Sequence, residues 1–174
     1  MKTSSSDKIK IRKATAEDSP VINSIFENAR RFMRANGNLN QWIGGYPGLK
    51  EIEEDLKNGQ LFVGCNEENE IEVAFTFILG EDYTYKVIEE GEWLNDEPYG
   101  TIHRIASAGK NKRMLDVAVD FCFGLTDNIR IDTHKDNFPM QNALKRLGFH
   151  KCGRIYCRDG SPRVAFQKTK TINI

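Results

Sequence analysis

The sequence predicts a single α+β domain, within the broad α/β class, whose helices pack on one mostly antiparallel sheet. Three observations predict it. Short alternating runs interleave with segments whose apolar residues recur at helical spacing, in the order β-α-α-β-β-β-α-β-α-β-β. Gly, Asn-Gly and Asp-Gly steps separate them. The 174 residues fall within the size of one domain and can bury a core without a metal or disulfide staple. The predicted domain spans residues 9–168, between a flexible tail at 1–8 and a second tail at 169–174. No internal repeat and no second domain stand out.

Each element has its own signal. Ile9 to Ala14 alternates as a strand, and Thr15-Ala16-Glu17-Asp18 has the capping-box spacing that opens a helix. Ile22, Ile25, Phe26, Ala29, Phe32 and Met33 form that helix's apolar stripe, and Asn36-Gly37 stops it. A loop with Trp42, Gly44-Gly45 and Tyr46-Pro47-Gly48 leads to a short helix over 51–57, ended by Asn58-Gly59. Strands over 61–65 and 70–79 are joined by the turn Asn66-Glu67-Glu68-Asn69. The stretch Gly80 to Pro98 is acidic and aromatic without a clean period and reads as a variable insertion or hairpin tip. A strand over 101–107, a helix over 111–125, a strand over 129–133 and a helix over 137–147 follow, with Gly148 as the last helix's C′ residue. Strands over 149–157 and 163–167 flank the Asp159-Gly160 turn.

Composition narrows the function. Lys plus Arg and Asp plus Glu number 25 each, so no global field draws the molecule to nucleic acid or an anionic membrane, and any anion site is local. The polar, Ser-rich start and the lack of a long apolar run predict a soluble, cytoplasmic protein. Cys65, Cys122, Cys152 and Cys157 lack paired metal-ligand spacing and read as reduced core or near-core thiols, with no metal site.

The most informative segment is strand, turn, helix: Ile102-His103-Arg104-Ile105-Ala106-Ser107, then Ala108 to Lys112, then a helix with Met114, Ala118, Phe121, Cys122 and Leu125 on one face. Lys110, Lys112 and Arg113 crowd the helix's start. Positive charge there opposes the macrodipole by about 0.3–1 kcal/mol per well-placed group. A bound phosphate reverses that sign, because the free N–H groups and the cations all face it. The alternative reading, three side chains bent into water with nothing bound, stays open on charge alone. A nucleic-acid role for the same cluster is disfavoured by the zero net charge and the lack of interleaved aromatics.

This order of elements, the His103-Arg104-Ile105-Ala106-Ser107 strand before that helix, and Arg130 to Asn137 with the later Gly148-Phe149, resemble the GNAT superfamily of acyl-CoA-dependent N-acyltransferases over about residues 9–168. The resemblance implies a mixed, mostly antiparallel sheet with helices on both faces and splayed central strands. It implies that acetyl-CoA, the acyl-donor substrate, lies between the strands ending at Ser107 and Thr133. The backbone near Ile105 and Ser107 then pairs with the pantetheine amides, Lys110, Asn111, Lys112, Arg113 and Met114 face the pyrophosphate, and Asn137 reaches the CoA arm. The family's loop carries small residues at the places of Arg113 and Leu115, so altered phosphate contact is expected. A non-catalytic CoA-binding module of the same fold is the alternative to an N-acetyltransferase. The partners implied are acyl-CoA and an amine acceptor, in a chain that can form a homodimer.

Acyl transfer to an amine needs a base and a proton for the departing thiolate. His103 stands about where many members carry a glutamate, and its ordinary pKa suits the task, although a hydrogen-bonded structural histidine is the plainer reading. His134, with Asp132 nearby, is a second candidate base. The family's tyrosine acid is replaced by Leu144, which leaves Tyr156 as a substitute, with a hairpin role as its alternative. The amine side is expected from the first two helices, the loop with Trp42 and Tyr46, and the acidic insertion, whose carboxylates either steer a cationic amine or form a solvated face.

Overall fold

A computed structural model describes residues 8–170. Residues 1–7 and 171–174, which hold most of the two expected tails, lie outside the described residues. The elements are β1 (Lys10–Lys13), α1 (Ser19–Ala35), α2 (Leu49–Lys57), β2 (Leu61–Cys65), β3 (Ile71–Leu79), β4 (Gly100–Ser107), α3 (Met114–Phe123), β5 (Asn128–Thr133), α4 (Phe138–Arg146), β6 (His150–Tyr156) and β7 (Pro162–Thr169). They follow the order expected from the sequence. The strands hydrogen-bond in the order β1-β2-β3-β4-β5-β7-β6. β1 with β2, β2 with β3, β5 with β7 and β7 with β6 are antiparallel, while β4 and β5 are parallel at Gly100↔Ile129 and Thr101↔Arg130. The chain divides into two compact units, one ending at Phe77 and resuming over Arg104–Phe121, the other comprising Ile78–His103 and the chain from Cys122 onward.

In the first unit the sheet is covered on both faces. Thr15 N–H donates to Asp18 Oδ2 at 2.8 Å, a capping contact that opens a 3₁₀ turn over Ala16–Asp18, and Pro20 sits in the first turn of α1. Ile22, Ile25 and Phe26 of α1, Trp42 of the following loop and Ile52 of α2 bury against Leu61, Val63, Cys65, Ala74 and Ala106. On the opposite face Phe62 stacks on Phe75 at 5.6 Å and meets Phe121 of α3 at 5.3 Å. Full burial of each such side chain contributes about 1.5–3 kcal/mol. The loop after α1 is tied by Arg34, whose guanidinium donates to the carbonyls of Asn38, Gln41 and Trp42.

In the second unit Tyr85, Tyr99, Ile155 and Ala165 form a core with Ile88 and Trp93 against it. Arg130 is 4% exposed, with its guanidinium 4.1 Å from the Trp93 ring and 4.0 Å from the Tyr99 ring. The acidic stretch after β3 is no free hairpin tip: Glu89 and Arg154 exchange N–H···O bonds of 2.9 and 2.8 Å, so it lies along β6. A Cβ at Gly91 would collide with the carbonyl of Cys152, and one at Gly153 would stand 2.5 Å from that of Glu89, so both glycines are required for this approach. Asn137 caps α4 and Gly148, at φ 86°, ends it in the expected place.

The helix expected from residue 111 begins instead at Met114. Arg113 has φ 65°, a left-handed conformation that no α-helix continues through. Among the described residues no helix is long and apolar enough to cross a membrane, and no group of three or more His, Cys, Asp or Glu is arranged to hold a metal.

Candidate functional site

The strand β4 is bent at its middle. Arg104 has φ 48°, which costs an L-residue about 1–2 kcal/mol. Its side chain offsets that cost within the first unit: Nε and Nη2 donate to the two oxygens of Asp55 at 2.9 and 2.7 Å, and Nη1 donates to Tyr46 Oη at 3.1 Å. Asp55 is 5% exposed and also accepts from the Thr76 hydroxyl at 2.6 Å. A bidentate pair with a further donor on the carboxylate satisfies the buried charges that either partner alone would leave exposed to low dielectric.

Beyond the bend, Ile105 is half-buried, Ala106 is buried and Ser107 is exposed. Ala108 N–H donates to the Glu72 carbonyl at 2.8 Å, which fixes the start of the loop. Gly109 takes φ 81°, Lys110, Lys112 and Arg113 are exposed, and Asn111 is half-buried. Lys110 Nζ lies 3.8 Å from Glu70. The Arg113 carbonyl accepts from Val117 N–H at 3.4 Å, so Arg113 ends the loop, and buried Met114 begins α3. The loop therefore keeps at Arg113 a backbone shape natural to glycine, with an arginine side chain on it.

In the second unit His103 is anchored. Its Nε2 lies 2.8 Å from Asp82 Oδ2, and its ring centroid is 6.1 Å from that of Tyr85. Asp82 Oδ1 accepts from the Thr84 amide at 2.9 Å and from its hydroxyl at 2.7 Å, while Asp82 N–H donates to Tyr99 Oη at 2.9 Å. Burial alone would raise the Asp82 carboxyl, but the bonds from His103 and Thr84 outweigh it and hold the group far below its ordinary 3.8. Tyr85, 1% exposed, donates to Asp132 Oδ2 at 2.6 Å. Burial, then the Asp132 charge, pushes its phenol well above the ordinary 10.

The other expected residues of this unit each have partners of their own. His134 is buried, its Nδ1 accepts from Asp136 N–H at 3.1 Å, and burial with nearby Arg163 lowers its pKa below 6.5, so the ring is neutral at pH 7. Tyr156 donates to Glu89 Oε2 at 2.8 Å and so ties β6 to the acidic stretch. Asn137, 8% exposed, accepts from Met140 N–H at 3.2 Å through Oδ1. Leu144 is fully buried, so that helix position carries no proton donor.

Sequence reasoning missed the contact of Asp82 with His103, the bond from Tyr85 to Asp132, the role of Asp55 and the bend at Arg104. Asp82-Tyr83-Thr84 has the spacing of an Asx turn, which could have marked Asp82 as a structured carboxylate, but nothing in the sequence pointed it at His103. Glu90 pairs with Arg154 at 2.8 Å and Glu89 with Tyr156. Much of the acidic stretch is thus committed to internal partners.

No protein-family model matches the chain, and no curated protein matches it. Among solved structures it is similar to a GNAT-family acetyltransferase from Streptococcus agalactiae, 32% identical over 94% of this chain and 96% of that one, with a TM-score of 0.84. It is also similar to a GNAT-family acetyltransferase from Listeria monocytogenes, 19% identical over 92% and 94% of the two chains, with a TM-score of 0.69. A spermidine N-acetyltransferase from Vibrio cholerae, solved with CoA and spermine, is 14% identical over 94% and 96%, with a TM-score of 0.62. At these two lower identities the likeness bears on the fold alone.

Proposed function

The chain belongs to the GNAT family of acetyltransferases, and from that premise we propose that it transfers an acetyl group from acetyl-CoA to an amine of a small molecule or peptide by direct attack on the thioester. The observation that carries this reading is the segment from β4 into α3. It runs from the bent strand through a cation-rich loop to the start of a helix, with Arg113 in a glycine-like conformation. In this reading Lys110, Asn111, Lys112, Arg113 and Met114 surround the pyrophosphate, the backbone at Ile105 and Ser107 pairs with the pantetheine, and Asn137 lies along the CoA arm. His103 takes the proton from the attacking amine, the C–N bond forms, the C–S bond breaks, and the departing thiolate is protonated by water.

The test has two arms. Calorimetric titration of the folded protein with acetyl-CoA at low salt is expected to show binding; a folded protein that binds none refutes the reading. Release of the CoA thiol is then followed against a panel of amines with wild-type protein and His103→Gln, which keeps size and hydrogen bonding but cannot hold the proton. The variant is expected to lose about 10²- to 10⁴-fold in turnover, about 3–5 kcal/mol of barrier, with unchanged acetyl-CoA affinity. The buried Leu144, in place of a proton-donating tyrosine, favours a second reading in which the domain binds CoA without turnover. Turnover on any amine excludes it.

A further inference from the structure

Resting on His103 as the base, we infer that Asp82 is its positioning residue: it holds the imidazole as the Nε2–H tautomer and leaves Nδ1 as the atom that accepts the proton. The geometry around Asp82 carries the inference. A carboxylate accepts hydrogen bonds and donates none, so the 2.8 Å contact between Asp82 Oδ2 and His103 Nε2 requires the proton on Nε2 in the neutral ring. Nδ1 then bears the lone pair, and among the described residues no hydrogen-bond partner occupies it.

The carboxylate is itself immobilised. Thr84 donates to Oδ1 from both its amide and its hydroxyl, and the Asp82 amide donates to Tyr99 Oη, so rotation that would free Oδ2 from His103 breaks two bonds at the other oxygen. The Tyr85 ring lies 6.1 Å from the imidazole, and Tyr85 is pinned by its own bond to Asp132. The carboxylate, locked from the far side, holds the imidazole in one orientation and one tautomer. A base needs this, because the fixed tautomer sets which nitrogen is bare and the adjacent negative charge stabilises the imidazolium that proton uptake creates.

The same bonds make Asp82→Asn informative. The Thr84 amide donates only, so it keeps the side-chain carbonyl oxygen of Asn at the Oδ1 position and turns the NH₂ group toward His103. Facing a donor, Nε2 must accept, the ring proton moves to Nδ1, and the base atom is blocked.

Long-range ¹H–¹⁵N correlation spectra of the full chain, at a pH where the His103 ring is neutral, read the tautomer without any ligand. The wild type is expected to show protonated Nε2 and bare Nδ1, and Asp82→Asn the reverse. Turnover of acetyl-CoA with an accepted amine is expected to fall about 10²- to 10⁴-fold in Asp82→Asn with acetyl-CoA affinity unchanged, and Asp82→Glu is expected to restore both the tautomer and part of the rate. A wild-type ring protonated at Nδ1 overturns the inference. So does an Asp82→Asn protein whose tautomer reverses while its turnover holds, in a chain where His103→Gln loses turnover. If His103→Gln itself loses nothing, the base assignment fails, and the positioning role fails with it. Should Asp82→Asn not fold, Thr84→Ala, which frees the carboxylate to rotate, is expected to mix the two tautomers and lower turnover; an unmixed spectrum with unchanged rate counts against the inference.

Discussion

Arg113 offers a direct test of whether the loop proposed to face the pyrophosphate has a glycine's backbone. It sits at φ 65° immediately before α3. An L-residue there carries about 1–2 kcal/mol of strain. Glycine removes the strain but loses about 0.5–1 kcal/mol more backbone entropy on folding than alanine does. Comparing Arg113→Gly with Arg113→Ala cancels the lost guanidinium, which both variants share. The difference isolates the backbone, and glycine is expected to be more stable by about 0.75 kcal/mol at the middle of both ranges and at most about 1.5 kcal/mol, the former about 1.5–3 °C in a domain of this size. Urea denaturation and calorimetry measure it. The same pair isolates the Cβ in binding, so Arg113→Gly is expected to bind acetyl-CoA more tightly than Arg113→Ala, its amide being free to approach the pyrophosphate. An alanine variant at least as stable as the glycine variant, and binding at least as well, refutes the argument.

Two further outcomes follow from the buried charges. Asp55→Ala leaves the Arg104 guanidinium, 18% exposed, without its bidentate partner at a strained bend, and is expected to destabilise the fold by about 3 kcal/mol in urea titration; a loss below about 1 kcal/mol would mean that water or Tyr46 replaces the pair. The Asp82 carboxyl is held below its ordinary 3.8, so its contribution is fully present above that value and is lost as pH falls toward the depressed folded value. Urea midpoints measured from pH 6 down to pH 2 are therefore expected to fall more steeply for the wild type than for Asp82→Asn, and parallel curves would refute the coupling.

The elements were legible because their signals are local. The capping residues at Thr15 and Asp18, the stripe of Ile22, Ile25 and Phe26, and the stops at Gly37 and Gly148 each act within a turn or two, and each lies in the expected place. The start of α3 was not legible, since arginine is no marker of a left-handed residue and helical spacing continues through Arg113 without a break. The bend at Arg104 was hidden for the same reason. Its cost is offset by Asp55, a residue 49 positions away, and no window of sequence contains both.

The acidic stretch after β3 shows what the same limit does to a functional reading. Read as sequence, Asp82, Glu89 and Glu90 are exposed charge, either a steering field for a cationic amine or a solvated face. In the fold Glu89 accepts from Tyr156, Glu90 from Arg154, and Asp82 from Thr84 and His103. Glu90 is paired with an opposite charge and Glu89 is held by a phenol on β6, while a carboxylate fixed beside an imidazole acts strongly on that one ring. With His103 as the proposed base, the stretch therefore bears on catalysis through contact with that ring at 2.8 Å. That shift from field to contact moves the expected sensitivity to mutation from the exposed glutamates to Asp82 and Thr84.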